Sequence, residues 1–155
     1  MRIGLISDTH GLLRPQIFDL FAGVNHILHA GDVGPLDILT ELEAIAPVTA
    51  VHGNTDGWDV CERLPDVAEL SLGGARVIVL HGDQFGSPVP TDLATEYPNA
   101  DLLVYGHTHQ GRIEKVGDLL CVNPGSAGPR RFKLRPSVAL AEIEDGQVEA
   151  RLVPL

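Results

Sequence analysis

The order of short apolar runs and amphipathic segments constrains the fold of this chain more than any other feature of its sequence. The first two-thirds of the 155 residues alternate between buried-strand patterns and helical patterns, and the last third consists of two hairpins. Strand–helix alternation is typical of a parallel α/β sheet, and hairpins add antiparallel strands to it. Two packed sheets accommodate this many strands better than one wide sheet. We therefore expect an α/β fold with two mixed β-sheets packed face to face and flanking helices.

Periodicity and turn signals predict ten strands and three helices in one domain, residues 1–155. The predicted strands are 2–7, 26–29, 48–51, 67–72, 76–80, 101–105, 111–116, 119–122, 137–143 and 147–153. The predicted helices are 12–22, 36–45 and 92–97. Hairpin turns are expected at Gly73-Gly74, Gly117-Asp118 and Asp145-Gly146.

Composition narrows the classes of function. The formal net charge is −10, whereas nucleic-acid backbones are bound by faces rich in lysine and arginine, so we expect no general nucleic-acid-binding surface. The apolar runs are too short to span a bilayer. The N-terminal apolar run is also too short for a signal peptide, and no cleavage site follows it. We therefore expect a cytoplasmic protein with no membrane contact. Cys61 and Cys121 are too far apart in sequence for a thiolate metal site and are interpreted as reduced thiols.

Polar segments with metal-binding side chains follow five of the predicted strands. In chain order they are Asp8-Thr9-His10, Gly31-Asp32, His52-Gly53-Asn54-Thr55-Asp56, His81-Gly82-Asp83 and Gly106-His107-Thr108-His109. Ligands bind beyond the carboxyl ends of strands in open α/β sheets, so we expect these segments to converge. The glycines at 31, 53, 82 and 106 would permit tight exits and close backbone approach. Extended backbone would direct Asp8 and His10 to one side, and likewise His107 and His109.

These polar residues also have a purely structural interpretation. A single histidine after a strand is usually a hydrogen-bonded structural residue, and His26, His29 and His52 fit that description. Four histidines, two aspartates and an asparagine at five strand ends are harder to explain in this way, because burial of unpaired carboxylates and imidazoles is costly. Seven candidate ligands exceed the needs of one ion and suit two ions about 3.5–4 Å apart, an arrangement that activates water against phosphate esters.

The donor set restricts the metal. A structural zinc site of the cysteine type is excluded because no thiolate accompanies these residues. Imidazole, carboxylate and amide oxygen suit Mn²⁺, Fe or Zn²⁺. Geometry alone does not separate these metals. We expect two divalent metal ions and take Mn²⁺ as the first choice, with Fe, Zn²⁺ or Ni²⁺ as alternatives. Such ions would give an acidic protein the local positive charge that an anionic substrate requires.

The ordered series of motifs resembles the calcineurin-like metallophosphoesterases. The motifs are Asp8-x-His10, Gly31-Asp32, Gly53-Asn54-x-Asp56, His81-Gly82 and Gly106-His107-x-His109. With its short length and its Asn123-Pro124-Gly125-Ser126 segment, the chain is most similar to the small phosphodiesterases of the YfcE type. The resemblance implies a four-layer αββα sandwich and a metal-dependent phosphoesterase, foremost a phosphodiesterase. In such an enzyme a metal-bridging hydroxide attacks phosphorus in line with the leaving oxygen.

The resemblance also implies a role for each motif residue. Seven are implied as metal ligands: Asp8, His10 and His109 for the first ion, Asn54, His81 and His107 for the second, and Asp32 as the bridge. Asp32, Asn54 and Asp56 are the predicted catalytic residues.

Two positions depart from the family pattern. Relatives carry a histidine where this chain has Thr55, and that histidine is assigned to protonating the leaving group or steadying the transition state. A threonine hydroxyl is no acid near neutral pH, so the role falls to Asp56, to water or to no group. Many relatives have histidine in place of Asp83, which is predicted to orient a ligand histidine instead.

The segment that begins at Asn123 has two interpretations. Asn123–Ser126 is a turn signal that closes a strand. Alternatively, the turn contacts the site and brings Arg130 or Arg131 to an anionic substrate, because guanidinium groups match phosphate geometry. Trp58 is interpreted as ordinary packing rather than a pocket wall.

Two classes of function follow. The leading hypothesis is a phosphodiesterase that acts on a small phosphate ester, and a phosphomonoesterase would differ only in substrate. The alternative is a catalytically weak or inactive protein-interaction scaffold, as in the retromer subunit that resembles these enzymes. The complete set of seven ligands favours the enzyme, and Thr55 alone favours the scaffold. The sequence leaves the substrate, the native metal and homo-oligomerisation open.

Overall fold

The computed structural model describes residues 1–155, and its main elements are ten strands and four helices. The strands are β1 Arg2–Ile6, β2 His26–His29, β3 Val48–Ala50, β4 Val67–Leu72, β5 Ala75–Leu80, β6 Leu102–Val104, β7 Arg112–Val116, β8 Leu119–Asn123, β9 Ser137–Glu144 and β10 Gln147–Pro154. The helices are α1 Gln16–Leu20, α2 Asp37–Glu43, α3 Trp58–Arg63 and α4 Pro90–Glu96, with a 3₁₀ helix at Asp83–Phe85.

The strands form two mixed five-stranded sheets. The first has the order β10-β9-β1-β2-β3, with β1, β2 and β3 parallel and the β9–β10 hairpin antiparallel to them. The second has the order β4-β5-β6-β8-β7, with β5, β6 and β8 parallel and β4 and β7 antiparallel at its edges. The prediction of two mixed sheets with flanking helices is confirmed.

The main core lies between the sheets, and two further cores lie outside them. Ile3 and Leu5 of β1 are fully buried in a cluster with Val77 and Val79 of β5. On the outer face of the first sheet, buried residues of β1 and β2 pack against α1 and α2. On the outer face of the second sheet, a cluster that includes Leu93 of α4 is buried. Burial on both faces explains why the parallel strands are almost continuously apolar.

The structure differs from the predicted elements mainly in the helices. α1 begins at Gln16 rather than residue 12, because the residue before Pro15 is disfavoured in the helical region. Helix α3 was not predicted, and Val60 is its one fully buried residue, so its hydrophobic periodicity is weak. The longest helices have seven residues. No helix therefore has the length and hydrophobicity that a transmembrane span requires. Cys61 and Cys121 are free thiols, as predicted.

Candidate metal centre

Five loops meet at the edge where the parallel strands of both sheets end. Backbone hydrogen bonds of 3.0 Å join the loop after β1 to the loop after β2, from Asp8 N to Gly31 O and from His10 N to Asp32 O. A bond of the same length joins the loop after β6 to the end of β5, from Gly106 N to His81 O. The predicted convergence is therefore observed, and it draws on both sheets.

One group of candidate ligands consists of Asp8, His10 and His109. The Nε2 atom of His109 lies 3.1 Å from Asp8 Oδ1, and that of His10 lies 3.8 Å from the same oxygen. The two Nε2 atoms are 3.4 Å apart. Three donor atoms from two loops thus face one another closely enough to bind a single cation.

A second group surrounds His81. Its Nε2 atom lies 3.2 Å from Asp32 Oδ2 and 3.1 Å from Asn54 Oδ1. The Nδ1 atom of His107 lies 3.2 Å from the same Asn54 oxygen. Asp32 Oδ2 is also 3.9 Å from His10 Nε2 of the first group. Asp32 therefore lies between the two groups and could contribute an oxygen to either.

The Asp8 carboxylate is the strongest indication that a cation binds here. It is fully buried, and its Oδ2 atom accepts hydrogen bonds from Ser7 Oγ at 2.6 Å and from the His107 backbone N–H at 3.3 Å. Its Oδ1 atom is buried without a hydrogen-bond partner, although it faces the rings of His10 and His109. A buried carboxylate oxygen left unpaired is costly, and a divalent cation would satisfy it. The residues present therefore fit a metal.

Backbone strain is concentrated at the candidate ligands. Seven non-glycine residues have positive φ, and five of them are Asp8, His10, Asp32, His107 and His109. Such conformations cost roughly 1–3 kcal/mol each and cluster at functional sites. They also correct the expectation that extended backbone pairs these ligands, because β1 ends at Ile6 and β6 at Val104. Left-handed turns instead send His109 to the first group and His107 to the second.

Two glycines allow the loops to approach this closely, as predicted. A Cβ atom on Gly53 would lie 2.2 Å from Asp32 Oδ1 and 2.6 Å from its backbone N. A Cβ atom on Gly106 would lie 2.0 Å from Ser7 Oγ and 2.7 Å from Asp8 Oδ2. Any larger residue would therefore displace a candidate ligand.

His81 and Asp32 form a coupled pair. Burial opposes the charged form of His81, but the hydrogen bond to Asp32 and the charges of Asp8 and Asp32 outweigh it and raise the pKa to about 9. Burial likewise opposes ionisation of Asp32, yet the hydrogen bond and charge of His81, with the Thr55 N–H at 2.9 Å, hold its pKa well below the usual range. Without metal the pair is imidazolium and carboxylate at neutral pH, and a divalent ion would displace the proton of His81.

His29 supports the site through hydrogen bonds, although it is not a candidate ligand. The Thr9 hydroxyl donates to Val33 O at 2.7 Å, so it accepts from His29 Nε2–H at 3.0 Å. The other ring nitrogen accepts from Gly31 N at 3.2 Å. Complete burial lowers the pKa of His29 to about 4, so the ring is neutral. Its structural interpretation is confirmed, as are those of the other two histidines, His26 hydrogen-bonded to Thr49 and His52 paired with Asp66.

We expect His29 to make stability depend on pH. Its folded pKa lies below the unfolded value of about 6.5, so the unfolded chain takes up the proton first as the pH falls. The free energy of unfolding should therefore decrease between about pH 6.5 and pH 4, with a loss of about 3 kcal/mol from this group. Urea unfolding of metal-free protein at several pH values, compared with His29→Gln, measures this loss. If the free energy of unfolding decreased equally with falling pH in both proteins, the prediction would be wrong.

The segment from Asn123 to Gly128 contacts the site, which sequence interpretation had left open. The buried Asn123 side chain donates to Gly106 O at 2.9 Å and Thr108 Oγ1 at 3.0 Å, and so holds the loop of His107 and His109. Ser126 Oγ and the Gly128 N–H donate to Asp8 O at 3.0 and 3.1 Å. The segment therefore links the two loops that supply the first ligand group. The Asn-Pro-Gly-Ser motif was the sequence signal for this role.

Comparison with known proteins places the chain in a family. Residues 1–146 match the sequence model of the calcineurin-like phosphoesterase superfamily domain. The chain belongs to this superfamily. It is 37% identical to a probable metallophosphoesterase of Methanothermobacter thermautotrophicus, over 99% of this chain and 92% of that protein. It is 35% identical to phosphodiesterase YfcE of Escherichia coli, over 81% of this chain and 79% of that protein.

Two solved structures show that the chain has the fold of known proteins. A structure described as a novel archaeal phosphodiesterase superposes with a TM-score of 0.81 and 28% identity, with complete coverage of both chains. A single mutant of Vps29 from Entamoeba histolytica superposes with a TM-score of 0.80 and 25% identity, over 100% of this chain and 99% of that chain. The predicted family and fold are thus both confirmed.

Asp56 and Asp83 lie outside the ligand groups. The Asp56 carboxylate accepts hydrogen bonds from the backbone N–H groups of Val33, Gly34 and Gly53 at 2.9 to 3.2 Å, which join the loops after β2 and β3. These hydrogen bonds give Asp56 a structural role in holding the two loops together. Its catalytic role stays a prediction. His81 Nδ1 is hydrogen-bonded to Ala30 O at 2.8 Å. A backbone carbonyl therefore orients His81, and the role of Asp83 in orienting a ligand histidine stays a prediction.

The remaining residues considered in the sequence analysis are exposed. Arg130 and Arg131 follow directly on the segment that contacts Asp8. Burial lowers the pKa of His10, and the positive charge of Arg131 adds to this effect. Their role in substrate binding stays a prediction. Trp58 is 76% exposed, so its interpretation as ordinary packing is wrong.

Proposed function

We propose that this chain is a phosphodiesterase that requires two divalent metal ions, Mn²⁺ foremost. The observation that carries the proposal is the buried Asp8 Oδ1, which has no hydrogen-bond partner and faces two histidine rings. Strained backbone at five of the seven candidate ligands supports it, because such strain persists where function requires it. Membership of the superfamily and the similarity to proteins named phosphodiesterase support the choice of reaction.

The side chains divide into holding and orienting roles. Asp8, His10 and His109 would hold one ion, Asn54, His81 and His107 the other, and Asp32 would be shared. Bound there, the ions would act as Lewis acids on phosphate oxygens and lower the pKa of water. The Ala30 carbonyl fixes the His81 ring by accepting from Nδ1–H, which leaves Nε2 directed into the site. Ser7 and the His107 N–H hold the second Asp8 oxygen, so the first is presented to the site.

A substrate panel tests the proposed function. Metal-free protein would be loaded with Mn²⁺, Fe²⁺, Zn²⁺ or Ni²⁺ separately and assayed with bis(4-nitrophenyl) phosphate and 4-nitrophenyl phosphate. We expect metal-dependent hydrolysis of the diester that exceeds hydrolysis of the monoester. Faster monoester turnover would identify a phosphomonoesterase instead, and absence of hydrolysis with every metal would overturn the enzyme assignment.

We expect the protein to bind two equivalents of Mn²⁺. The two ligand groups share Asp32 but have different histidines, so His109→Ala should lower the content to about one equivalent by emptying the first group. The measurement is elemental analysis after gel filtration, together with calorimetric titration. His26→Ala is the matched control, because His26 contacts Thr49 outside the site, and it should retain both equivalents. Wild-type protein saturating at one equivalent would contradict the prediction.

Thr55 should make turnover depend on the quality of the leaving group. General acid catalysis contributes roughly 10²- to 10⁴-fold when a suitable group is positioned, and Thr55 is no such group. Activated aryl diesters should therefore be hydrolysed well and alkyl diesters poorly. Thr55→His should accelerate hydrolysis of the alkyl diesters more than that of the aryl diesters. The measurement is kcat/KM for a series of diesters that differ only in leaving-group pKa, in both proteins. If kcat/KM depended equally steeply on leaving-group pKa in the two proteins, another group would supply the proton. Asp56 would be the first residue to test.

The alternative class is a protein-interaction scaffold on the same fold. Two exposed aromatic side chains favour it, Trp58 at 76% and Phe132 at 91% exposure. The complete ligand set favours the enzyme, because a scaffold has no need of the unpaired Asp8 oxygen. The metal panel separates the two classes, since a scaffold would show no metal-dependent turnover. Cytoplasmic localisation stays a prediction.

A further inference from the structure

A cavity of about 430 Å³ adjoins the second ligand group. His107 and Thr108 of the ligand loop line it, together with Ser87, Val89 and Gln110. Its volume lies within the range of small-molecule sites, roughly 300–1,000 Å³. A larger cavity, of about 810 Å³, is lined by residues such as Met1 and Glu142 and contains none of the candidate ligands. The smaller cavity is therefore the one from which a bound group would reach the metal centre.

The lining of this cavity is polar but carries no free charge. Ser87 and Gln110 offer hydroxyl and amide groups that make no side-chain hydrogen bond within the chain, since Gln110 bonds only through its backbone N–H. The one charged group is Arg112, whose guanidinium is paired with Glu114 through Nε at 2.9 Å. A second phosphate would find no unpaired cation here, and an ammonium group would find no lining carboxylate.

The same cavity has an apolar side. Pro88 and Val89 line it, and Val89 is 37% exposed. Thr108 is fixed next to His107, because its hydroxyl accepts a hydrogen bond from Asn123 Nδ2 at 3.0 Å. Uncharged hydrogen-bonding groups combined with an apolar surface suit a sugar ring, which has hydroxyls at its edge and C–H groups on its faces.

We infer that this cavity is the subsite for a sugar-bearing group of the phosphodiester substrate. The inference rests on the proposed phosphodiesterase function. The phosphate would lie at the metal centre, and the sugar would extend past His107, with Gln110 and Ser87 hydrogen-bonded to its hydroxyls. Two neutral hydrogen bonds to the sugar should improve kcat/KM by roughly tenfold.

Four diesters with the same 4-nitrophenolate leaving group test the subsite. Their other ester group is methyl, cyclohexyl, thymidine through its 5′ oxygen, or glucose through its 6 oxygen. With Mn²⁺-loaded protein, we expect at least one sugar ester to exceed both the methyl and the cyclohexyl ester by roughly tenfold in kcat/KM. The better of the two sugar esters distinguishes a nucleoside from a hexose. The cyclohexyl ester controls for size without hydroxyl groups.

Two variants and a control connect the preference to the cavity. Gln110→Ala removes the amide, and Ser87→Phe fills the space, so both should lower the ratio of sugar-ester to methyl-ester kcat/KM toward one. Gln147→Ala, in the larger cavity away from the ligands, should keep the wild-type ratio. Sugar esters no better than the cyclohexyl ester, or a ratio unchanged in both variants, would overturn the subsite alone. Absence of hydrolysis of all four esters would overturn the proposed function and the subsite with it.

Discussion

Asp32→Asn should abolish nearly all turnover while the fold remains intact. Asparagine has the same shape but no charge, and the Asp32 carboxylate lies between both ligand groups, 3.2 Å from His81 Nε2 and 3.9 Å from His10 Nε2. In the proposed two-metal site, loss of that charge would leave the two cations without a shared anion. We expect kcat/KM for bis(4-nitrophenyl) phosphate to fall by at least about 10³-fold, a barrier increase of about 4 kcal/mol.

The controls for this variant distinguish loss of the carboxylate charge from loss of the folded structure. Elemental analysis should find at most one bound Mn²⁺, and circular dichroism of metal-free protein should match the wild type. Asp37→Asn, on the exposed first turn of α2, makes the same chemical change away from the site and should keep full activity. If Asp32→Asn retained wild-type turnover, Asp32 would not be the shared ligand.

Gly53→Ala should be nearly as damaging to activity, although glycine carries no chemical group. The added Cβ atom would lie 2.2 Å from Asp32 Oδ1 and 2.6 Å from the Asp32 backbone N, so the loops after β2 and β3 must separate. Overpacking of this kind typically costs about 1–3 kcal/mol of stability. Because displacement of a positioned group by about 1 Å can cost roughly 10²-fold in rate, we expect at least that loss of kcat/KM.

Gly57→Ala is the matched control in the same loop. Its Cβ atom would meet only Asp59 Oδ1 at 3.0 Å, the end of an exposed side chain that can move. We expect its midpoint of urea unfolding and its kcat/KM to remain close to wild type, whereas Gly53→Ala lowers both. Similar behaviour of the two variants would show that the contact with Asp32 is not what requires glycine at position 53.

The sequence by itself determined the strands and the identity of the candidate ligands. Strand signals are local, because apolar runs and turn residues act over a few neighbouring positions, and β2 and β4 have the predicted bounds. The ligands could be found in the same way, since each follows a strand directly and α/β topology brings such ends together. The glycines of these loops were predicted to permit close approach, and Gly53 and Gly106 do so.

Only the tertiary structure decided how these residues are grouped and supported. Asp8 and His109 are 101 positions apart in sequence but 3.1 Å apart in space, and no local pattern records such a pairing. The left-handed backbone at His107 and His109, which directs them to different ligand groups, was not expected from their sequence. The bracing contacts of Asp56 and the unpaired oxygen of Asp8 likewise depend on backbone groups from distant loops. Burial and hydrogen bonding at a site depend on what the rest of the chain packs around it, and that is fixed only when the two sheets meet.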